Sequence, residues 1–272
     1  MTTKKSQPEK QQEEIESRTA PPGDVVYQAI HDEGEHELQR GNSALALSGL
    51  AAGLSMGFSL VSEALLRVYL PDAPWVNLIA KLGYSVGYLI VILGRQQLFT
   101  KNTLTVILPL LKHRNLPLLM NVARLWAAVL LGNLAGAALF AGLLAHTSLF
   151  DEPVRQMFSR ISSHAMEPAA GTLFLRAILS GWLIALMVWL LPFAEAARVW
   201  VIIIIGYLVG LSNLPHVIAG GVESFYLVWA GTISLAQSIG GYLLPALLGN
   251  VVGGVLLVAV GAHAEFRTAR GK

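Results

Sequence analysis

A histidine and a threonine within two long apolar segments are the residues best suited to chemistry. His216 ends the polar stretch SNLPH, and Thr100 lies in the stretch LFTKNT at Leu98–Thr103, 116 positions earlier. An ionisable side chain deep in an apolar segment is costly, so it is by default a functional candidate. Imidazole has an unperturbed pKa of about 6.5 and can exchange a proton near neutral pH. We therefore expect His216 to act on a small charged solute, with Thr100 as its hydrogen-bond partner. The alternative is a neutral structural histidine.

Each polar stretch is followed by a second apolar segment that carries the motif GNxxG. The motif begins at Gly132 and again at Gly249, and its asparagines, Asn133 and Asn250, lie 117 positions apart. The similar spacings indicate an internal repeat. Interrupted helices at matching positions of two hydrophobic halves are typical of a transport site near the middle of a membrane. We expect the two asparagines to bond loop backbone or neighbouring helices, while the glycines allow close helix approach.

Composition places the chain in a membrane. Hydrophobic residues make up 54% of the 272 residues and charged residues 13%, a balance that a soluble domain of this size would rarely have. Nine of the 17 acidic residues lie in the first 43 positions. This predicts a polar cytoplasmic tail over residues 1–43, with a short helix from Asp24 that is either solvated or lies on the membrane surface, then a pore domain over 44–263 and a tail over 264–272.

Several function classes are disfavoured by the same residues. The chain has no Cys, and its basic residues are scattered rather than clustered, so neither a thiolate metal site nor a nucleic-acid partner is expected. We predict no metal and no cofactor. An intramembrane enzyme is not expected either, because HExxH and closely paired intramembrane acids are missing.

About 20 apolar residues cross a bilayer as a helix, which predicts six crossings, the second and fifth interrupted: Ala44–Val68, Leu78–Leu111, Leu116–His146, Gly171–Leu191, Val199–Trp229 and Ser234–His263. Lys and Arg are more frequent at the two ends of the chain and in every second loop between crossings. This distribution predicts that both termini are cytoplasmic. Three crossings followed by three crossings form inverted halves, so the two interruptions face each other near mid-depth. A long loop is expected between the third and fourth crossings.

The interruptions should also shape a passage. Half-helix N-termini would present unpaired N–H groups and a positive partial charge, which favours small anions. The apolar and aromatic side chains Phe99, Tyr84, Tyr88 and Val209 lie within reach of the two stretches. We expect them to narrow the passage above and below the histidine, although plain packing is the alternative for the two tyrosines.

In its motifs and their order, the sequence resembles the formate/nitrite transporter family over roughly residues 25–265. The resemblance rests on LSGLAAGLSMGF, YSVGY followed by LFTKNT, the two GNxxG motifs, LIALMVWL, PHVIAG and YLLPALLGN. It implies an aquaporin-like fold, a homopentamer with one pore per protomer, and passage of monovalent anions. It also implies that His216 protonates the passing anion beside Thr100, and that Phe99, Tyr84, Tyr88 and Val209 narrow the pore.

The sequence departs from the family pattern at three positions. Gln97 stands where an acid is usual, Gly181 where Asn is usual, and Pro215 where Glu often precedes the central histidine. A lysine that some members use to attract anions also has no counterpart, with Arg160 and His164 as the nearby basic substitutes. These differences leave the pore plan intact and indicate a divergent branch.

Together these observations predict an all-α protein of the plasma (bacterial inner) membrane, built from two inverted three-helix repeats. The predicted function is a proton-coupled channel or transporter for formate, nitrite or similar weak-acid anions, whose partners are the anion, the lipid bilayer and its own copies. One alternative is a transport-inactive or sensory protein on the same fold. Another is a neutral small-solute channel, although the paired Asn-Pro-Ala motifs of aquaporins are missing.

Overall fold

The computed structural model describes residues 6–7 and 23–260, and this part of the chain contains helices and no strands. The predicted tail at 264–272, most of the first 22 residues and the predicted crossing end at His263 lie outside the described residues. The ordered elements are α1 Gly23–Leu38, α2 Asn42–Tyr69, α3 Val76–Leu93, α4 Phe99–Thr105, α5 Ile107–His113, α6 Leu116–His146, α7 Glu152–Met166, α8 Ala170–Leu190, α9 Arg198–Leu211, α10 Ala219–Trp229 and α11 Leu235–Leu256.

Five of the described helices, α2, α3, α6, α8 and α11, are long and apolar enough to cross a membrane. They fall on predicted crossings, and α6 has the predicted ends, Leu116 and His146. Asn115 caps the start of α6 by accepting a hydrogen bond from the Leu118 amide at 2.9 Å, which satisfies one of the free N–H groups of the first turn.

The first helix interruption lies earlier than the sequence predicted. Helix α3 ends at Leu93 and α4 begins at Phe99, so the non-helical residues are 94–98 rather than Leu98–Thr103. The turn is made at Gly94 and Arg95, where Arg95 has the left-handed φ of 50°. Phe99 and Thr100 therefore belong to the first turn of α4, which places them at the N-terminal end of a helix.

The connection between α6 and α8 is long, as predicted, but it contains a helix that was not predicted. This helix is α7, which begins after Asp151 and has Pro153 near its N-terminus, a position where proline fits a helix. Val154, Phe158 and Ile161 are buried at the spacing of one helix face. The apolar positions were too sparse among polar ones to resemble a crossing.

Helix α1 has a buried face in addition to the exposed one that the sequence predicted. It packs against the helical body: a Cβ added at Gly34 would collide with the carbonyl of Thr105 at the end of α4. Ile30 and His31 are almost completely buried. The carbonyl of Leu38 accepts hydrogen bonds from Asn121 and Arg124 of α6.

The two non-helical segments, residues 94–98 and 212–218, have matching conformations. Arg95 and Asn213 are left-handed, with φ values of 50° and 47°. The next residue in each segment, Gln96 or Leu214, donates its amide to the preceding helix at 3.0 Å. The internal repeat inferred from spacing is therefore also a repeat of backbone geometry.

Asn133 of α6 binds the first non-helical segment. Its Oδ1 accepts the Phe99 amide at 2.9 Å, and its Nδ2 donates to the carbonyls of Gly49 and Gln97, both at 2.8 Å. One buried side chain thereby joins α2, α6 and the start of α4.

Asn250 of α11 makes the equivalent bonds to the second segment. Its Oδ1 accepts the Val217 amide at 2.9 Å, and its Nδ2 donates to the carbonyls of Ala177 and Pro215 at 2.9 and 3.1 Å. It also donates to Ser180 Oγ at 2.8 Å. The backbone freed by the interruption is thus satisfied by a side chain.

The glycines that precede these asparagines let the helices approach. A Cβ at Gly132 would lie 2.5 Å from the carbonyl oxygen of Ala46, and one at Gly249 would collide with the carbonyl of Phe174. Backbone atoms cannot move aside easily, so any side chain here would push α6 from α2 or α11 from α8.

We predict that Asn250→Ala destabilises the protein by at least about 3 kcal/mol, because it leaves several buried backbone groups without partners. Asn115→Ala, which removes a helix cap at the surface, should cost only about 1 kcal/mol. Denaturation in detergent, followed by circular dichroism, measures both. Equal stability of the two variants would contradict the bonding role of Asn250.

Candidate functional site

The two residues singled out by sequence meet in the interior. His216 Nε2 and Thr100 Oγ1 are 2.7 Å apart, and both side chains are completely buried. Thr100 lies in the first turn of α4, and His216 lies three residues before α10. The N-terminal ends of two helices, one from each half of the chain, therefore meet at this pair.

The hydrogen bonds of His216 define which ring nitrogen carries the proton. The Ala219 amide donates to Nδ1 at 3.2 Å, so Nδ1 must be an unprotonated acceptor. In neutral imidazole the single proton then lies on Nε2, which donates to Thr100 Oγ1. The ring thus directs its one N–H donor toward Thr100, which lies in the other half of the chain.

Aromatic rings surround the imidazole on one side. Tyr88 packs edge-to-face on His216 with ring centroids 5.2 Å apart, and Tyr84 lies 5.8 Å from Tyr88. The buried Tyr88 hydroxyl interacts with the side chain of Tyr84. Phe99 packs edge-to-face against Trp126 at 5.6 Å.

A cavity of about 390 Å³ lies on one side of the pair, and we call it the α7 cavity. Tyr84, Val209 and Pro215 line its inner end, and Arg160 and His164 of α7 line it farther out. Tyr84 and Val209, two of the residues predicted to narrow a passage, therefore border the α7 cavity. The basic residues Arg160 and His164 line the same cavity.

Buried acids in the α7 cavity were missed by the sequence reasoning. Glu63 Oε1 lies 2.9 Å from Lys81 Nζ and 3.0 Å from Arg67 Nη2. Glu223 of α10 lines the same cavity. The signal was present as single acids within the apolar segments LVSEAL and GGVESF. An ionisable side chain in an apolar segment is costly in free energy. This argument was applied to His216 but not to the two acids.

A second cavity, of about 480 Å³, lies toward α1, and we call it the α1 cavity. Its lining includes Arg95, Gln96, Lys101 and Arg198. Lys101 is paired with Glu33 of α1, whereas Arg95 and Arg198 have no carboxylate partner within residues 23–256. This lining is suited to a small anion.

His216 and Thr100 are each adjacent in sequence to a residue that lines one of the cavities. Pro215 lines the α7 cavity and Lys101 lines the α1 cavity, and each is the direct neighbour of one member of the pair. Both His216 and Thr100 have no exposed surface.

The helix N-termini at the site are less free than predicted. The amides of Phe99 and Val217 are bound by Asn133 and Asn250, and the Ala219 amide is bound by His216. The expectation of unpaired N–H groups aimed at an anion is therefore wrong for these three. The partial positive charge of the helix ends remains, and the imidazole Nε2–H is the donor that faces the junction.

The three departures from the family pattern are accommodated locally. Gln97 is buried and accepts a hydrogen bond from Asn102 at 3.0 Å. A side chain at Gly181 would collide with the carbonyl of Asn250, so asparagine does not fit there. The Pro215 carbonyl accepts hydrogen bonds from Ser180 and Asn250. None of these residues blocks the pair.

A bundle of apolar helices with a buried polar pair and two cavities lined by charged residues is typical of an integral membrane protein of the transport class. The model of the family described as "Formate/nitrite transporter" matches residues 24–264, and the chain belongs to that family. The family prediction made from the motifs is therefore confirmed.

Individual relatives agree with this assignment. The chain is 40% identical over 243 residues to the inner membrane protein YfdC of Escherichia coli, a match that covers 89% of this chain and 78% of YfdC. It has the fold of a solved structure described as "FNT family ion channel", with a TM-score of 0.77, 20% identity and coverage of 89% and 98%. A second solved structure, described as "Pentameric formate channel with formate bound", has a TM-score of 0.68 and 22% identity. This match covers 85% of this chain and 98% of that one.

We predict that His216 is the Nε2–H tautomer in the resting protein, because Nδ1 accepts the Ala219 amide. Solid-state ¹⁵N NMR of histidine-labelled protein in lipid, assigned with His216→Asn, distinguishes the two ring nitrogens by chemical shift. A protonated Nδ1 would contradict the bonding pattern described above.

Proposed function

We propose that this protein conducts small monovalent weak-acid anions such as formate or nitrite, with His216 as the group that the anion meets at the narrowest point. The observation that carries the proposal is the contact of 2.7 Å between His216 Nε2 and Thr100 Oγ1, whose chain neighbours Pro215 and Lys101 line the two cavities. In this proposal the pair closes the route between the cavities. A neutral-solute pore has no need of an ionisable ring there, nor of unpaired guanidinium groups at its mouth.

The proposed topology has six crossings in two inverted halves. The non-helical segments interrupt the second crossing, between α3 and α4, and the fifth, between α9 and α10. Both termini are cytoplasmic, so the α1 cavity opens to the cytoplasm and the α7 cavity to the opposite side. The excess of Lys and Arg at the chain ends supports this orientation.

The proposed assembly is a homopentamer with one pore per protomer, located in a bacterial inner membrane. Support comes from the solved relative described as a pentameric formate channel and from the relative described as an inner membrane protein. In a pentamer, exposed apolar side chains of the described helices would be divided between lipid and neighbouring protomers.

Basic side chains gather the anion before it reaches the junction. Arg160 in the α7 cavity and Arg95 and Arg198 in the α1 cavity line the walls, and none has a carboxylate partner within residues 23–256. Long-range attraction of this kind raises the local anion concentration. Glu63 offsets part of the charge of Lys81 and Arg67, so the attraction in the α7 cavity is moderate.

At the junction the anion takes the place of Thr100 Oγ1 as the acceptor of the Nε2–H bond. A second ring proton, taken from water that fills the cavity, binds Nδ1. The ring then gives up the Ala219 amide, and the charge of the arriving anion offsets that cost. Transfer of the Nε2 proton to the anion leaves a neutral acid and a neutral imidazole protonated at Nδ1. Loss of the Nδ1 proton to water and uptake of a proton at Nε2 restore the resting tautomer, so one proton is consumed for each acid formed. The neutral acid then passes the apolar side chains of Phe99 and Val209, where an unneutralised charge would be costly.

We predict that His216→Ala lowers formate uptake into proteoliposomes at least about 10-fold, because one hydrogen bond to a charged group is removed at the barrier. His146→Ala is the matched control: His146 is exposed, packs edge-to-face against Trp229 and lines neither cavity. Internal pH is recorded together with uptake, and protein assembly is checked by size-exclusion chromatography.

Uptake by His216→Ala equal to that of His146→Ala would contradict the proposed role of the imidazole. Wild-type flux of urea or glycerol, without flux of formate, nitrite, acetate or lactate, would replace the anion pore by a neutral-solute channel. Absence of any flux across this panel would favour a sensory protein on the same fold.

A further inference from the structure

Two histidines and a glutamate converge where α1 meets the end of α5. His31 and Glu35 lie one helical turn apart on α1, and His113 is the last residue of α5. His113 Nε2 is 3.6 Å from Glu35 Oε1, and His31 Nε2 is 3.9 Å from the same oxygen. We propose that these three side chains form a binding site for a divalent transition-metal ion such as Zn²⁺.

The spacing of the ligand atoms fits such an ion. One nitrogen or oxygen from each of the three side chains lies within 4.8 Å of the others. Ligands about 2.1 Å from Zn²⁺ in a tetrahedron are roughly 3.4 Å apart, so small side-chain rotations are enough to close the site. Two imidazoles and one carboxylate are a ligand set that Zn²⁺, Ni²⁺ and Co²⁺ accept.

The environment of His31 points to a ligand independently of that spacing. His31 is 1% exposed, and its Nε2 is buried without a hydrogen-bond partner. Its other nitrogen, Nδ1, lies 3.3 Å from Asp32 Oδ1. A carboxylate on the far nitrogen fixes the tautomer and leaves Nε2 as an acceptor, which is the usual arrangement around metal-binding histidines.

The site is also accessible from solution. The side chains of Glu35 and His113 are each 47% exposed, so an ion can enter from the surface and then contact the buried nitrogen of His31. Open coordination positions on that side are available to water. The ring of Tyr27 stacks on His31 with centroids 6.0 Å apart, which keeps the imidazole in place.

A bound ion would join α1 to the helical body. Helix α1 supplies Glu33 and His36 to the wall of the α1 cavity, and Glu33 is paired with Lys101, the neighbour of Thr100. Metal occupancy would therefore hold one wall of the cavity in place. This inference does not rest on the anion function, because metal binding is measured directly.

The test is isothermal titration of the full chain in detergent with ZnCl₂, after removal of any affinity tag and of bound metal by a chelator. We expect one Zn²⁺ per protomer at micromolar affinity or tighter. His113→Ala and Glu35→Gln should each weaken binding at least about 100-fold, since loss of even an outer contact costs 10–100-fold. His36→Ala, on the same helix but outside the cluster, should bind like the wild type.

A second readout is the visible spectrum of bound Co²⁺, which should show ligand-field bands in the wild type and in His36→Ala and lose them in His113→Ala. If His113→Ala does not assemble, His113→Gln replaces it. No saturable binding at micromolar Zn²⁺, or equal affinity of wild type and the assembled His113 and Glu35 variants, would overturn the site.

Discussion

The structure depends on how two stretches of non-helical backbone are satisfied inside an apolar helical body. Backbone groups without partners cost several kcal/mol each where water is absent, so such segments persist only if the protein bonds them. Asn133 and Asn250 provide those bonds, and each connects a non-helical segment to two neighbouring helices. Without them the interruptions would revert to helix or open to solvent.

This bonding determines where the chemistry can occur. The asparagines fix the first turn of α4 and the segment before α10, and these elements carry Thr100 and His216. The glycines beside the asparagines bring the supporting helices close enough for the side chains to reach. A hydroxyl and an imidazole from opposite halves of the chain are therefore held 2.7 Å apart. The same plan leaves α1 outside the bundle, where its histidine and glutamate are available to an ion.

Much of the site could be predicted because the repeat is visible in the sequence. The spacing of GNxxG is within one residue of the spacing between Thr100 and His216, and an internal repeat of this kind predicts that the two residues meet. The limits of the first non-helical segment could not be predicted, since Arg95 adopts a left-handed conformation that its residue type does not favour. Helix α7 was missed because its buried face has only a few apolar residues. Glu63 and Glu223 were visible as isolated acids, whereas the contact of His113 with α1 depends on packing that no local pattern reveals.

The most direct test of the central claim uses the absence of cysteine from the chain. Leu214 and Gln96 occupy equivalent positions in the two non-helical segments and line the α7 and α1 cavities respectively. Single variants Leu214→Cys and Gln96→Cys, in oriented proteoliposomes, are treated with a membrane-impermeant thiol reagent from one side at a time. If His216 and Thr100 separate the two cavities, each cysteine is modified from one side only, and the two sides are opposite. Modification of both cysteines from the same side would contradict the account.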